Sequence, residues 1–309
     1  MIYFYIIIGL GTLLLGGRLL VDGASSIAIR LNLSAGLIGL TIVALGTSAP
    51  ELLVSVTAAL KGNSDIAMGN VIGSNISNIT LVLGITALVY PIFLPRTVIR
   101  MDYPFTLATS ILFFIVSFNG MISFLEGIIF LFLFVFVNLY FFKKIEKVAH
   151  DVGSLEGSDI KKISPFMAVL FLLLGILGLY WGAELLVNNS IVLAQQFGVS
   201  ERIIGVTVVA VGTSLPELAT SVVAALKKET DIAIGNILGS NMMNVLLIIG
   251  VTASIQPIDV SSLFVSNDLP WMLGFTLLIL PLMITSSKIS RWEGGLLLLG
   301  YGLYLFFIL

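Results

Sequence analysis

The decapeptide Val-Ala-Leu-Gly-Thr-Ser-Ala-Pro-Glu-Leu at 43–52 returns at 209–218 as Val-Ala-Val-Gly-Thr-Ser-Leu-Pro-Glu-Leu. Its glutamates, Glu51 and Glu217, are 166 positions apart (217 less 51), and at that offset Gly69-Asn70-Val71-Ile72-Gly73-Ser74-Asn75 returns as Gly235-Asn236-Ile237-Leu238-Gly239-Ser240-Asn241, and Asn78 as Asn244. The chain is therefore two copies of one unit, and what one copy folds into the other must fold into as well. Both glutamates lie inside long apolar segments, where an ionisable side chain costs roughly 3 kcal/mol or more unless a partner compensates it. A duplicated pair of such carboxylates points to a bound cation.

Composition sets the surroundings. With 58% hydrophobic and 10% charged residues and a mean hydropathy of +1.12, the chain departs from soluble domains, in which about 25% of residues are charged. An all-α integral membrane protein follows. The absence of cysteine excludes a disulfide framework and any thiolate metal or redox centre. The first apolar run starts at Ile2 without a basic leader and is read as a retained span. Runs long enough to cross the hydrocarbon, about 20 residues each, fall near 2–21, 35–60, 66–90, 104–119, 122–142, 165–187, 201–226, 232–254, 270–287 and 293–309. Ten transmembrane helices are expected, five per half, with 1–142 the first repeat, 143–164 a flexible linker and 165–309 the second repeat. An odd number of spans per repeat makes the second copy enter from the opposite side, which gives two inverted-topology repeats.

Charge supports that layout. Arg30, Arg96, Arg100, Lys143, Lys144, Lys147, Lys161, Lys162, Lys227, Lys228, Lys288 and Arg291 fall in loops on one side, and only Lys61 and Arg202 on the other. The positive-inside rule then puts the 143–164 loop in the cytoplasm and both termini outside a multi-pass protein of the cell membrane. His150 reads as a solvated loop residue. Ser34, Asp65, Ser200 and Asp231 precede apolar runs in the manner of helix N-caps. Trp181, Trp271 and Trp292 read as interfacial anchors. Arg18 and Glu184 occupy equivalent places in spans one and six with opposite charge; local pairing or snorkelling is preferred to a bridge between them.

The motifs suit a hard cation. Pro50 and Pro216 lie mid-span and break helices 2 and 7, removing one backbone hydrogen bond each. On the same turns Thr47, Ser48 and Glu51, and again Thr213, Ser214 and Glu217, share one face. Asn70, Ser74 and Asn78 form a stripe on the next helix, repeated by Asn236, Ser240 and Asn244, and can complete an oxygen shell without adding charge. The patterns Gly69-x-x-x-Gly73 and Gly235-x-x-x-Gly239 allow close helix approach. Ca²⁺ takes about six to eight oxygen ligands, and one divalent ion neutralises two carboxylates that would otherwise repel and take up a proton. Several Na⁺ ions could use the same duplicated oxygens. A buried, protonated carboxyl acting as a structural donor is the plainer alternative.

These residues resemble the sodium/calcium exchangers of the calcium/cation antiporter superfamily, in their short prokaryotic form, through two alpha-repeats at 39–84 and 205–250. The resemblance implies a secondary transporter and not an enzyme, which exchanges Na⁺ for Ca²⁺ by alternating access as spans one and six slide past the other helices. It implies Glu51 and Glu217 as central ligands, with Asn78 and Asn244 opposite. Thr47, Ser48, Thr213, Ser214, Ser74 and Ser240 would supply flanking oxygens, joined by backbone carbonyls near Ala44 and Ala210. No catalytic residue, cofactor, nucleic acid or obligatory protein partner is implied; the partners are Ca²⁺, Na⁺ and the lipid bilayer. Asn244 departs from the pattern, because several prokaryotic members and the potassium-dependent branch carry aspartate there. That caps the site at two negative charges, argues against potassium co-transport and leaves the stoichiometry open. The large regulatory loop of animal exchangers is missing.

A Ca²⁺/H⁺ exchanger using the same glutamates is the nearest rival, yet that branch places a glutamate where Gly73 and Gly239 stand. A cation channel is more remote. An intramembrane aspartyl protease needs Tyr-Asp and Gly-x-Gly-Asp contexts, and neither occurs.

Overall fold

The computed structural model describes residues 1–31, 33–149, 163–197 and 210–308; His150, Ser200 and Arg202 lie outside them. The first half comprises α1 (Ile2–Arg30), α2 (Ala35–Thr47), α3 (Ala49–Leu60), α4 (Ser64–Val89), β1 (Ile92–Phe93), α5 (Val98–Ser117), β2 (Met121–Ile122) and α6 (Phe124–Ala149). The second comprises α7 (Pro165–Gln196), α8 (Ala210–Thr213), α9 (Leu215–Leu226), α10 (Thr230–Ile255), β3 (Ile258–Asp259), α11 (Phe264–Ile284), β4 (Lys288–Ile289) and α12 (Arg291–Ile308). Among the described residues, seven helices are long and apolar enough to cross a membrane, or eight if the bent pair α2–α3 is one span. The expected spans at 201–226 and 293–309 are represented by α8–α9 and α12. Helices α1 and α7 run on past their expected ends at 21 and 187, because no proline interrupts them. Likewise α6 continues to Ala149, into the segment expected to be linker.

The N-caps come out differently. Ser34 caps α2, its hydroxyl accepting from Leu37 N at 3.2 Å. Asp65 and Asp231 do not cap; Asn63 and Glu229 hold the cap positions and both aspartates sit one step inside, in the first turn. Their charge still complements the positive helix end.

The two motif helices make the centre. Of their most apolar stretches, 78% of α4 and 94% of α10 is buried, against 22–39% for the other spans. They run antiparallel: the start of α4 meets the strand after α10, with Asp259 N donating to Ser64 Oγ at 3.2 Å, and its end meets Arg291 of α12 at Val89 O. The strand pairs follow the same symmetry. β1 pairs with β4 (Ile92 with Ile289) and β2 with β3 (Met121 with Asp259); the offset of 166 carries β1 onto β3, and an offset of 167 carries β2 onto β4. Each pairing is thus the counterpart of the other. Gly235 and Gly239 make the expected close approach, against the backbone of Gly36 and Leu40 in α2. By the same offset the partners of Gly69 and Gly73 fall in 201–209, outside the described residues.

α1 and α7 form a separate antiparallel pair. Gly9, Gly16 and Gly23, spaced by seven, face Gly182, Gly175 and Ala168 so closely that a Cβ on Gly16 would lie 2.7 Å from Leu179 N, and one on Gly182 2.6 Å from Leu13 N. Small residues let helix backbones touch where lipid offers no hydrophobic drive. Arg18 pairs within α1, its Nε 3.9 Å from Asp22 Oδ2, and not with Glu184. Lys227, just past α9, reaches the same carboxylate at 2.5 Å and links the pair to the centre. Beside it, Glu229 is held above the usual carboxylate range by burial and then by Asp231. Trp271 is no free anchor, since it packs on Phe275, Tyr304 and Phe307, whereas Trp181 and Trp292 are exposed.

Gly16→Val should force α1 from α7 and lower the thermal midpoint in detergent, by about 1–3 kcal/mol of overpacking. An unchanged midpoint would show that the seam yields without strain.

Candidate cation site

Both repeats break their helix at the same residue. Ser48 (φ −85, ψ 7) ends α2, Pro50 sits in the first turn of α3, and the axis turns by 46°; Ser214 (φ −85, ψ 4) and Pro216 take the equivalent places before α9. Proline is harmless in a first turn, where its N–H would have no helical partner. The break creates a helix N-terminus in mid-span, and its positive end favours the anionic side chain that follows. Glu51 and Glu217 occupy those first turns and are each 1% exposed.

The copies interlock. Glu217 Oε1 accepts from Ser48 Oγ at 3.0 Å and from Ser240 Oγ at 3.4 Å, so a hydroxyl of the first repeat serves the carboxylate of the second. Thr47 Oγ1 lies 3.2 Å from Ala44 O and 3.1 Å from Asn236 Oδ1. Ala44 O also accepts from Ser48 N. Ser48 opens the turn that carries Glu51, so its bond to Glu217 brings the two glutamate-bearing turns together. Six buried oxygens from the expected set find no hydrogen-bond partner among the described residues: Glu51 Oε2, Glu217 Oε2, Ser74 Oγ, Ser214 Oγ, Asn78 Oδ1 and Asn244 Oδ1. Buried polar atoms are normally paired. A group of unpaired oxygens, two of them carboxylate, has the chemistry of a hard-cation shell. Thr213, half-buried, closes the Ala210–Thr213 turn; nothing of the Ala210 side chain is described.

Asn70 and Asn236 turn elsewhere. Asn70 Nδ2 donates to Glu51 O at 3.1 Å and to Ser55 Oγ at 2.9 Å, and Asn236 Nδ2 to Glu217 O at 3.5 Å and Ser221 Oγ at 3.1 Å. These amides clamp the backbone that carries each glutamate, so the expected stripe divides into a clamp (70, 236) and site-facing members. Ser55 and Ser221 were not singled out from sequence, although they recur at the repeat offset. Nor was Asn75, whose Oδ1 accepts from Asn244 Nδ2 at 3.1 Å and whose backbone oxygen accepts from Asn241 Nδ2 at 3.3 Å.

The sodium/calcium exchanger protein family matches residues 1–143 and 167–309. The chain belongs to this exchanger family. Among its relatives, the sodium/calcium exchanger MaX1 of Methanosarcina acetivorans is 32% identical, covering 98% of this chain and 97% of the relative. The inner membrane protein YrbG of Escherichia coli is 36% identical, covering 87% and 84%. Structures of the sodium-calcium exchanger NCX_Mj are similar over the whole chain; one, soaked with zero Na⁺ and Ca²⁺, has a TM-score of 0.85 at 30% identity and covers 100% of this chain and 99% of that one. The exchanger is thus a multi-pass membrane antiporter of Ca²⁺ and a counter-cation.

Asn236→Leu strips Glu217 O of its clamp and Thr47 of an acceptor. It should destabilise the protein by about 1–3 kcal/mol, read as a lowered thermal midpoint, and a midpoint equal to wild type would contradict the clamp.

Proposed function

We propose that the chain exchanges Na⁺ for Ca²⁺ across the cytoplasmic membrane by alternating access. The observation that carries this reading is a set of buried oxygens from both repeats, two of them carboxylate, that have no hydrogen-bond partner among the described residues. Glu51 and Glu217 are its central ligands, with Asn78 and Asn244 opposite. Thr47, Ser48, Thr213, Ser214, Ser74, Ser240 and the carbonyls near Ala44 and Ala210 are the flanking ligands. With two negative charges the site matches one Ca²⁺. Several Na⁺ ions replace it by spreading over duplicated neutral oxygens, and that duplication favours Na⁺ over H⁺ as the counter-ion.

The architecture belongs to the same proposal: ten spans in two inverted repeats, 1–142 and 165–309, around a cytoplasmic 143–164 linker, with both termini outside. The antiparallel courses of α1 with α7 and of α4 with α10 support it. In this arrangement the α1–α7 pair, joined by a glycine seam, moves as one body past the central helices, exposing the site to one side at a time.

Uptake of ⁴⁵Ca²⁺ into proteoliposomes separates the readings. An outward-directed Na⁺ gradient should drive accumulation, a pH gradient should not, and uptake driven by pH alone would make the protein a Ca²⁺/H⁺ exchanger. Glu51→Gln and Glu217→Gln should each lower this exchange by about 100-fold or more while leaving a folded protein, at or above the upper end of the roughly 10–100-fold that loss of a mere outer-shell partner costs; exchange at the wild-type rate by either variant refutes the assignment. Asn244→Asp adds a third carboxylate. It should tighten Ca²⁺ binding and sharpen its inhibition by acid, both read by calorimetric titration at several pH values, and unaltered affinity would mean that Asn244 does not face the ion.

A further inference from the structure

We infer that Met272 and Asn75 form a relay that aims the oxygen of Asn244 at the bound cation, which makes Asn75 a positioning residue for Ca²⁺; the inference rests on Asn244 being a ligand. The argument is one of hydrogen-bond polarity. A carboxamide has two ends of similar shape, and only its oxygen binds a cation while its nitrogen only donates. Asparagine in an ion site therefore works in one of its two orientations, and something must select that one.

The selection starts at a sulfur. Asn75 Nδ2 lies 3.5 Å from Met272 Sδ, and both residues are buried, at 1% and 0% exposure. A thioether has no proton to give and accepts weakly, so the amide edge that faces it is the NH₂ edge. That turns Asn75 Oδ1 toward Asn244, where it accepts from Asn244 Nδ2 at 3.1 Å. With its nitrogen engaged, Asn244 presents Oδ1 on its other edge, buried and without a hydrogen-bond partner among the described residues. Reversing both amides would set Asn75 Oδ1 against the sulfur lone pairs and point an NH₂ at the cation. Both contacts repel, so the relay has one favourable sense.

The other repeat lacks the device. Position 106 stands where 272 does, and Thr106 is a hydroxyl that donates as well as accepts. It lies 2.9 Å from Asp102 O and 3.5 Å from Leu238 O. The counterpart of Asn75 is Asn241, whose Nδ2 donates to Asn75 O and whose Oδ1 is unpaired. The aiming is thus particular to the Asn244 side.

Aspartate at 244 would need no aiming, because its two oxygens are equivalent, and this supplies the test. Ca²⁺ affinity of the full-length protein in detergent is measured by calorimetry for wild type, Asn75→Leu, Asn244→Asp and the double variant. Asn75→Leu should weaken Ca²⁺ binding about tenfold, as loss of an outer-shell partner does. In the Asn244→Asp background the same substitution should cost less than about twofold on that scale. Equal losses in both backgrounds would mean that Asn75 acts through packing, and no loss in either would mean that it does not act on the site; each overturns the relay. Should Asn75→Leu fail to fold, Met272→Leu, a nearly isosteric change, decides by the same comparison: a loss confined to the Asn244 background supports the relay, and any other pattern overturns it. Undiminished Ca²⁺ binding by Glu51→Gln would instead overturn the site assignment, a separate outcome.

Discussion

Two carboxylates repelling one another inside a protein that itself lies in lipid are the constraint around which the rest of this structure is arranged. Among the described residues neither glutamate is matched by a basic partner: the ion pairs Arg18–Asp22 and Lys227–Asp22 sit elsewhere and involve neither. What the fold offers the glutamates is partial compensation through a helix N-terminus each, and for Glu217 two hydroxyl donors. Partial compensation suits a transporter. A lysine in the site would neutralise the charge for good and leave nothing for a cation to do, whereas dipoles and hydroxyls lower the cost of burial and leave the final term to the ion.

The remaining architecture can be read as support for that incomplete site. Broken helices bring backbone ends to mid-span, where only a cavity or a buried partner can satisfy them. Antiparallel α4 and α10 carry equivalent asparagines and serines in opposite directions, and the bonds from Asn241 and Asn244 to Asn75 bring the two copies of the motif together. The asparagine clamps at 70 and 236 hold the glutamate-bearing turns by their backbone, which frees the carboxylate oxygens. The glycine seam of α1 and α7 does a different task. Backbone against backbone at its glycines, it keeps two long helices together as a unit, which meets the centre at Gly17 against Ala219 and Thr220, at Ile176 against Gly46, and through Lys227 to Asp22.

Much of this was legible in the residues. The repeat offset alone anticipates the glutamate turns and the paired breaks, because each depends on local sequence and its copy. Side-chain direction was harder. Asn70 and Asn78 lie two turns apart on one face, and the spacing does not disclose that the first bonds to the backbone of a neighbouring helix while the second keeps an unpaired oxygen. Asp65 and Asp231 look like caps in a string of letters, but Asn63 and Glu229, two residues earlier, hold the boundary. Trp271 carries the signature of an interfacial anchor, and three aromatic neighbours from α11 and α12 take it into a packed cluster. Asn75 was overlooked for the same reason: its partners, Met272 and Asn244, are distant in the chain, and only tertiary packing joins them.

The most direct test of a divalent ion shared between the two repeats is anomalous diffraction from crystals of the protein soaked in Ca²⁺ without Na⁺. One anomalous peak lying about 2.3–2.6 Å from carboxylate oxygens of both Glu51 and Glu217, and fading when Na⁺ is raised, is the result this account predicts. A peak bound to one glutamate alone, or no peak between them at saturating Ca²⁺, would contradict it.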